Sequence, residues 1–142
     1  GFAFYTCHFT QVLIFVFLLS MYSCKKKLFE YRNKYVGEYS FSGYNFVKGI
    51  TGESVDTIFF NQINGELSYD RQLERDKMNL FIEDVISIEF TLNKSGSMSV
   101  CSEEGIIDED YSLSVSFDKY ICDYGKPLLG GKHIYTITGK KK

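Results

Sequence analysis

The chain has no tryptophan, a single proline (Pro127), and no Lys, Arg, Asp or Glu in residues 1–23. One proline excludes a proline-rich linker or a collagen-like rod. No CxxC pair is present, and Cys101 and Cys122 fall short of the four ligands a structural zinc site wants. Gly130-Gly131 lacks the Lys-Ser/Thr that would make a phosphate loop. No motif for a cofactor is found, and none is expected. A spanning helix needs about 20 predominantly apolar residues, and Thr6, His8, Thr10 and Gln11 interrupt the one window that approaches this. Strong positive charge is missing too. The net charge is −2, and six of the 16 basic residues are Lys25–Lys27 and Lys140–Lys142. Between those clusters ten basic residues face 18 acidic ones, so the body stands at −8. A phosphate backbone does not suit such a surface, which excludes nucleic acid as a partner.

What is abundant is Phe and Tyr, 13 and 11 residues, or 17% of the chain. That composition opposes disorder. Val12–Leu19 is an eight-residue run without a polar side chain, the size of a secretory h-region, typically ~7–15 residues. It is followed by Ser23, Cys24 and three lysines. Residues 1–23 are therefore expected to be a signal peptide, 24–34 a tether, and 35–142 a single domain. An uncleaved anchor, with Lys25–Lys27 on the cytoplasmic side, and simple secretion are the two alternatives. The chain starts at Gly1 and not Met, so basic residues preceding the apolar run are expected upstream.

Leu18-Leu19-Ser20-Met21-Tyr22-Ser23-Cys24 resembles a bacterial lipobox, in which a small residue precedes the acylated cysteine. The resemblance implies that Cys24 becomes the first residue, takes a diacylglyceryl group on its thiol and is acylated at its new amino terminus. Several acyl chains make a stable membrane anchor where one does not.

Beyond the tether the hydrophobic period changes to two, as in half-buried strands. Strands are expected over Tyr35–Phe46, Val55–Asn61, Glu66–Tyr69, Met78–Ile82, Ile86–Asn93, Ser97–Cys101, Tyr111–Phe117 and His133–Gly139. Asn64-Gly65 is a dipeptide favoured in tight hairpin turns, and Asn93–Gly96 reads as a hairpin loop. Gly37 and Gly43 suggest a bulge or bend. Asp70–Asp76 reads as a loop or short helical turn, Ser102–Asp110 as an acidic loop, and Ile121–Lys132 as a further loop. The lysine tail is expected to be solvated, with contact to anionic headgroups as the alternative. The fold class is all-β: about eight antiparallel strands in an up-and-down barrel or a two-sheet sandwich. Closure removes exposed edges and favours the barrel.

Lys34–Phe41 (KYVGEYSF) after a CKKK tether, with the closing run Leu128–Lys142 (LLGGKHIYTITGKKK), is similar to small lipocalin-like lipoproteins of Bacteroidota-type bacterial envelopes. The resemblance implies an eight-stranded barrel-like fold held at the outer membrane and no shared catalytic residue. Lys25–Lys27 stand where surface-displayed members tend to be acidic, so the expected orientation is towards the periplasm.

Three constellations remain. Cys101 and Cys122 either form a disulfide, as an oxidising compartment allows, or are two buried thiols. Glu103, Glu104, Asp108, Glu109 and Asp110 offer oxygen ligands for Ca²⁺, without the Asp-x-Asp-x-Asp-Gly order of a dedicated loop. His133 is the one histidine after the signal; with no paired nucleophile, strand-edge exposure is the expected account. The leading function is a non-catalytic binding or interaction module, lipid-anchored through Cys24, whose partner is a small apolar ligand or an envelope protein. An envelope hydrolase using the acidic segment and His133, and a scaffold within an envelope complex, are the alternatives.

Overall fold

A computed structural model describes residues 13–18, 30–51, 53–70, 76–127 and 129–142. The chain divides into two compact units, Gly1–Asn33 and Lys34–Lys142. In the first, residues 13–18 are α-helical (α1) with exposed apolar side chains. Among the described residues no helix is long and apolar enough to cross a membrane. Cys24, Leu28 and Phe29 lie outside the described residues. Tyr31–Lys34 forms a 3₁₀ turn. Arg32 within it is buried, and its guanidinium donates to both oxygens of Glu30, at 2.7 and 3.1 Å.

The second unit is a closed barrel of eight antiparallel strands, each paired with its neighbours in sequence and β8 with β1. The strands are β1 (Gly37–Lys48), β2 (Ser54–Ser68), β3 (Lys77–Ile82), β4 (Ile86–Leu92), β5 (Ser97–Val100), β6 (Glu103–Ile107), β7 (Ser112–Asp118) and β8 (Lys132–Lys141). One short helix, α2 (Lys119–Tyr124), joins β7 to β8. The up-and-down barrel expected from the alternating pattern is the architecture found; the sandwich is not.

Alternation fills the inside. In β7, Leu113, Val115 and Phe117 are buried while Ser114 and Ser116 face water. In β3, Met78, Leu80 and Ile82 do the same. Tyr39 stacks on Phe41 with ring centroids 5.8 Å apart, and Phe117 on Tyr135 at 5.5 Å. The Tyr39 hydroxyl donates to the Tyr35 carbonyl at 2.8 Å, so the buried phenol is satisfied. Burial, reinforced by Tyr111 and Tyr35, pushes that phenol well above its ordinary pKa.

Four expectations are corrected. Asn64-Gly65 is not a turn: β2 runs straight through it, so the two strands expected on either side are one. Gly65 serves packing instead. A Cβ there would meet the Phe81 carbonyl oxygen at 2.2 Å and Phe41 ring carbons at 2.7 and 2.8 Å, and one at Gly139 would meet the same ring at 2.6 Å. Two glycines thus bracket the buried Phe41 ring. Second, the acidic segment is not a loop. Glu103–Ile107 is β6, and the connection from β5 is Cys101-Ser102, with φ of 50° and 66°. Two positive φ values are what a two-residue hairpin turn of the favoured hand requires. The merged strand and the missed strand offset each other, so the count stayed at eight. Third, the loop expected from Ile121 begins inside α2, capped by the Asp118 carboxylate, which accepts from the Tyr120 N–H at 3.1 Å, and by Gly125 at φ 74°. Fourth, Lys140–Lys142 is not a free tail, although Lys140 and Lys142 are exposed to water as expected. Lys140 and Lys141 belong to β8. Lys140 Nζ reaches Asp110 Oδ2 at 2.9 Å, Lys141 Nζ donates to the Lys34 carbonyl at 2.9 Å, and Lys142 Nζ to Asn64 Oδ1. The loop expected at Asp70–Asp76 falls largely on residues 71–75, outside those described.

Candidate functional site

The strands differ in length, and this shapes the two ends of the barrel. β1 and β8 pair over ten residues, Tyr39–Lys48 with Lys132–Lys141. β1 and β2 pair from Gly37–Leu67 up to Lys48–Ser54. β3 meets β2 only at Gly65–Ser68. The wall made by β8, β1 and β2 therefore stands taller than the β3–β6 wall at the end where Gly49–Glu53 links β1 to β2. The step coincides with a β-bulge, where the register shifts between Phe41–Ile63 and Gly43–Phe60. Gln62 takes φ 51° there, and its N–H donates to Ser42 Oγ at 3.0 Å, which itself donates to Asn61 Oδ1 at 3.0 Å.

Cross-strand register places Phe117, Tyr135, Asn45 and Ile58 in one row over β7, β8, β1 and β2. His133, Val47 and Asp56 form the next row outward on the same face. Asn45 Oδ1 is buried and has no hydrogen-bond partner among the described residues. The His133 ring lies 5.0 Å from Tyr135 and 5.7 Å from Tyr120 of α2. Burial, with the Lys119 ammonium acting the same way, lowers the imidazole pKa, against the pull of Asp118 and Asp123. Burial raises the Tyr135 phenol. α2 is fixed beside this mouth by a disulfide between Cys122 and Cys101 in the β5–β6 turn, with Cα atoms 4.7 Å apart.

The residues singled out in the sequence are not gathered into one site. Asp118 Oδ1 accepts from the His133 backbone N–H at 3.3 Å, which holds the strand rather than orienting the imidazole. Asp108 and Asp110 lie near Ser112 and Lys140. Lys140 is seven residues along β8 from His133, about 23 Å at ~3.3 Å per strand residue. Asp108 and Asp110 thus lie at the opposite end of the barrel from His133, while Glu103 and Glu104 begin β6 next to the Cys101-Ser102 turn. For Ca²⁺, Glu103 and Glu104 sit successively on β6 and so point to opposite faces. Asp108 accepts the Ser112 N–H at 2.9 Å and Asp110 pairs with Lys140. Among the described residues no three His, Cys, Asp or Glu side chains could hold a metal ion together.

Sequence reasoning passed over the apolar residues that stay exposed. Phe59 is 75% exposed, Ile58 54% and Ile50 73%; Tyr44 lies 5.9 Å from Phe59 on the outer face of the tall wall. The signal was present in Ile58-Phe59-Phe60, three consecutive large apolar residues that no single strand face can bury. A surface depression of about 200 Å³ between Glu66, Phe81 and Lys142 lies lower on β2 and β3.

Comparison with known proteins found no matching family, no matching curated protein and no matching solved structure.

Proposed function

We propose that the chain is a lipid-anchored interaction module of a bacterial envelope: a non-catalytic barrel that docks another protein segment and holds it at the outer membrane. The anchor is the Cys24 lipid implied by the lipobox-like run, and periplasmic orientation follows from Lys25–Lys27. The observation that carries the docking role is the contrast between inside and outside. Tyr39, Phe41, Phe90 and Phe117 are fully buried and fill the interior, which leaves a carrier little room to enclose an apolar ligand. Phe59 and Tyr44 are exposed on the outer face of the tall wall and Ile50 at its end, and exposed apolar surface of this kind suits a protein partner.

Two measurements test this. Cys24→Ala is expected to move the protein from the membrane to the soluble fraction, and the wild-type mass to lack residues 1–23 and carry acyl chains. A bare thiol at Cys24 would remove the anchor. Native mass spectrometry of the anchored protein is expected to show no stoichiometric small molecule; a co-purifying lipid would favour the carrier instead.

A further inference from the structure

At its upper end the tall wall carries an inner face that the barrel leaves open. Two rows face inward there along β8, β1 and β2: Tyr135, Asn45 and Ile58, then His133, Val47 and Asp56. Their members on β1 and β8 have the parity of buried Tyr39, Phe41 and Ile137. β3 joins β2 no higher than Gly65, and among the described residues no strand pairs with β2 beside Asp56 and Ile58 on that side. Ile58 is therefore 54% exposed although it faces inward, and Asp56 is exposed as well. Phe117 and Tyr135, both buried, close the β7–β8 side of the same rows.

What this recess lacks is positive charge. Asn45 Oδ1 gave up water on folding and gained no donor among the described residues, a state that costs free energy until a donor arrives. Asp56 Oδ1 accepts the Thr57 N–H at 2.8 Å, and among the described residues no Lys or Arg pairs with that carboxylate. The lysines of this end are engaged or turned away. Lys119 lies 3.7 Å from Asp123, and Lys48 and Lys132, opposite each other, have the parity of the outer face. Burial and the Lys119 ammonium hold the His133 imidazole below its ordinary pKa, so the ring brings no charge at neutral pH. Asn45 and Asp56 are diagonal neighbours across the β1–β2 pair, with Cα atoms about 7–8 Å apart. Ile58 and Val47 complete that square with apolar surface.

We propose that the recess receives an arginine side chain of the docked segment, its guanidinium donating to the Asp56 carboxylate and to Asn45 Oδ1. This names the chemistry by which the module described above recognises its partner, and it rests on that reading. The match is one of shape and charge together. A long basic side chain carries an apolar stem below a charged head. Val47 and Ile58 suit the stem, and the anion and the unpartnered oxygen suit the head. A guanidinium spreads its donors over a planar fork and so reaches two separated acceptors, where an ammonium is a point charge. Ile50, exposed at the end of the same wall, offers apolar surface to the segment that bears the arginine.

The test titrates the full chain, in an uncharged detergent at low salt, with N-acetyl-arginine amide. The readout is the NMR signal of the His133 imidazole, in the same row as Asp56 and assigned by its loss in His133→Gln. A saturable shift is expected, with none from N-acetyl-citrulline amide, which has the same shape and no charge. Asp56→Asn, at an exposed site, is expected to keep the melting temperature and weaken binding about threefold or more. Asn45→Leu is expected to weaken it about tenfold without loss of stability, since it removes the unpartnered oxygen. Asp110→Asn, at the other end of the barrel, is expected to bind as the wild type does. No saturable shift, an equal response to citrulline, binding untouched by Asp56→Asn, or an equal loss in Asp110→Asn would overturn the proposal. If the arginine probe does nothing and native mass spectrometry finds the protein empty, this inference falls and the interaction module stands. If the probe does nothing and a lipid co-purifies, both fall.

Discussion

Cutting the Cys101–Cys122 cross-link should destabilise the barrel by several kcal/mol without changing its shape. The bond closes a chain segment of 21 residues containing β6 and β7. In the chain-entropy account a loop of this size constrains the unfolded ensemble by about 3.3 kcal/mol at 25 °C. The native side of the comparison changes little. α2 has no buried residue, and the β6 and β7 pairings do not depend on it. The 109 residues of Lys34–Lys142 unfold with an entropy of about 0.23 kcal/mol per degree, so the loss corresponds to roughly 14 °C in Tm. The assay is urea unfolding and calorimetry of wild type and of the Cys101→Ser/Cys122→Ser variant, with far-ultraviolet circular dichroism to check that the barrel persists. Thiol labelling of the unfolded wild type reports the bond directly. A loss below about 1 kcal/mol with the bond present would refute the loop argument. Free thiols at both positions would refute the pairing itself.

Two further outcomes follow from the packing and the charges. Gly139→Ala should cost about 1–3 kcal/mol by overpacking, because its Cβ would meet the Phe41 ring at 2.6 Å; Phe41→Leu in the same chain should recover part of that loss, and strictly additive urea midpoints would sink the account. His133 is held neutral by burial, with its pKa lowered from 6.5. The unfolded chain therefore takes up the proton first. The contribution is complete above about pH 6.5 and is lost as pH falls through that value towards the lower folded pKa. Stability should drop as pH falls through about 6.5 in the wild type and less so in His133→Gln. An imidazole titrating above 6.5 by NMR would reverse the sign.

The sequence revealed β4 and β7 because each alternates without interruption: Ile86, Ile88, Phe90 and Leu92 in one, Leu113, Val115 and Phe117 in the other. Period two is a local property, and one buried face is enough to impose it. The failures are all places where a distant partner decides. Asn64-Gly65 has the composition of a turn, yet the glycine answers to the Phe81 carbonyl of β3 and to the Phe41 ring, 24 residues earlier, which together occupy the space a Cβ would need. Cys101-Ser102 lacks a turn's composition, yet β5 and β6 pair directly across it, with Val100 opposite Glu103. α2 is six residues long, too short to show a helical period, and its place is set by a cysteine 21 positions away. The tall wall has the same origin. The upper half of β2 is extended because β1 pairs with it, and β1 extends so far because β8 does. Ile58-Phe59-Phe60 could be recognised as surplus to one core, but not as an edge, until the short reach of β3 left it open. That is why Asn45 was also missed. A polar residue in an alternating strand reads as outward-facing, yet Asn45 has the parity of buried Tyr39 and Phe41 in β1 and stands in the inner-face row from Tyr135 to Ile58.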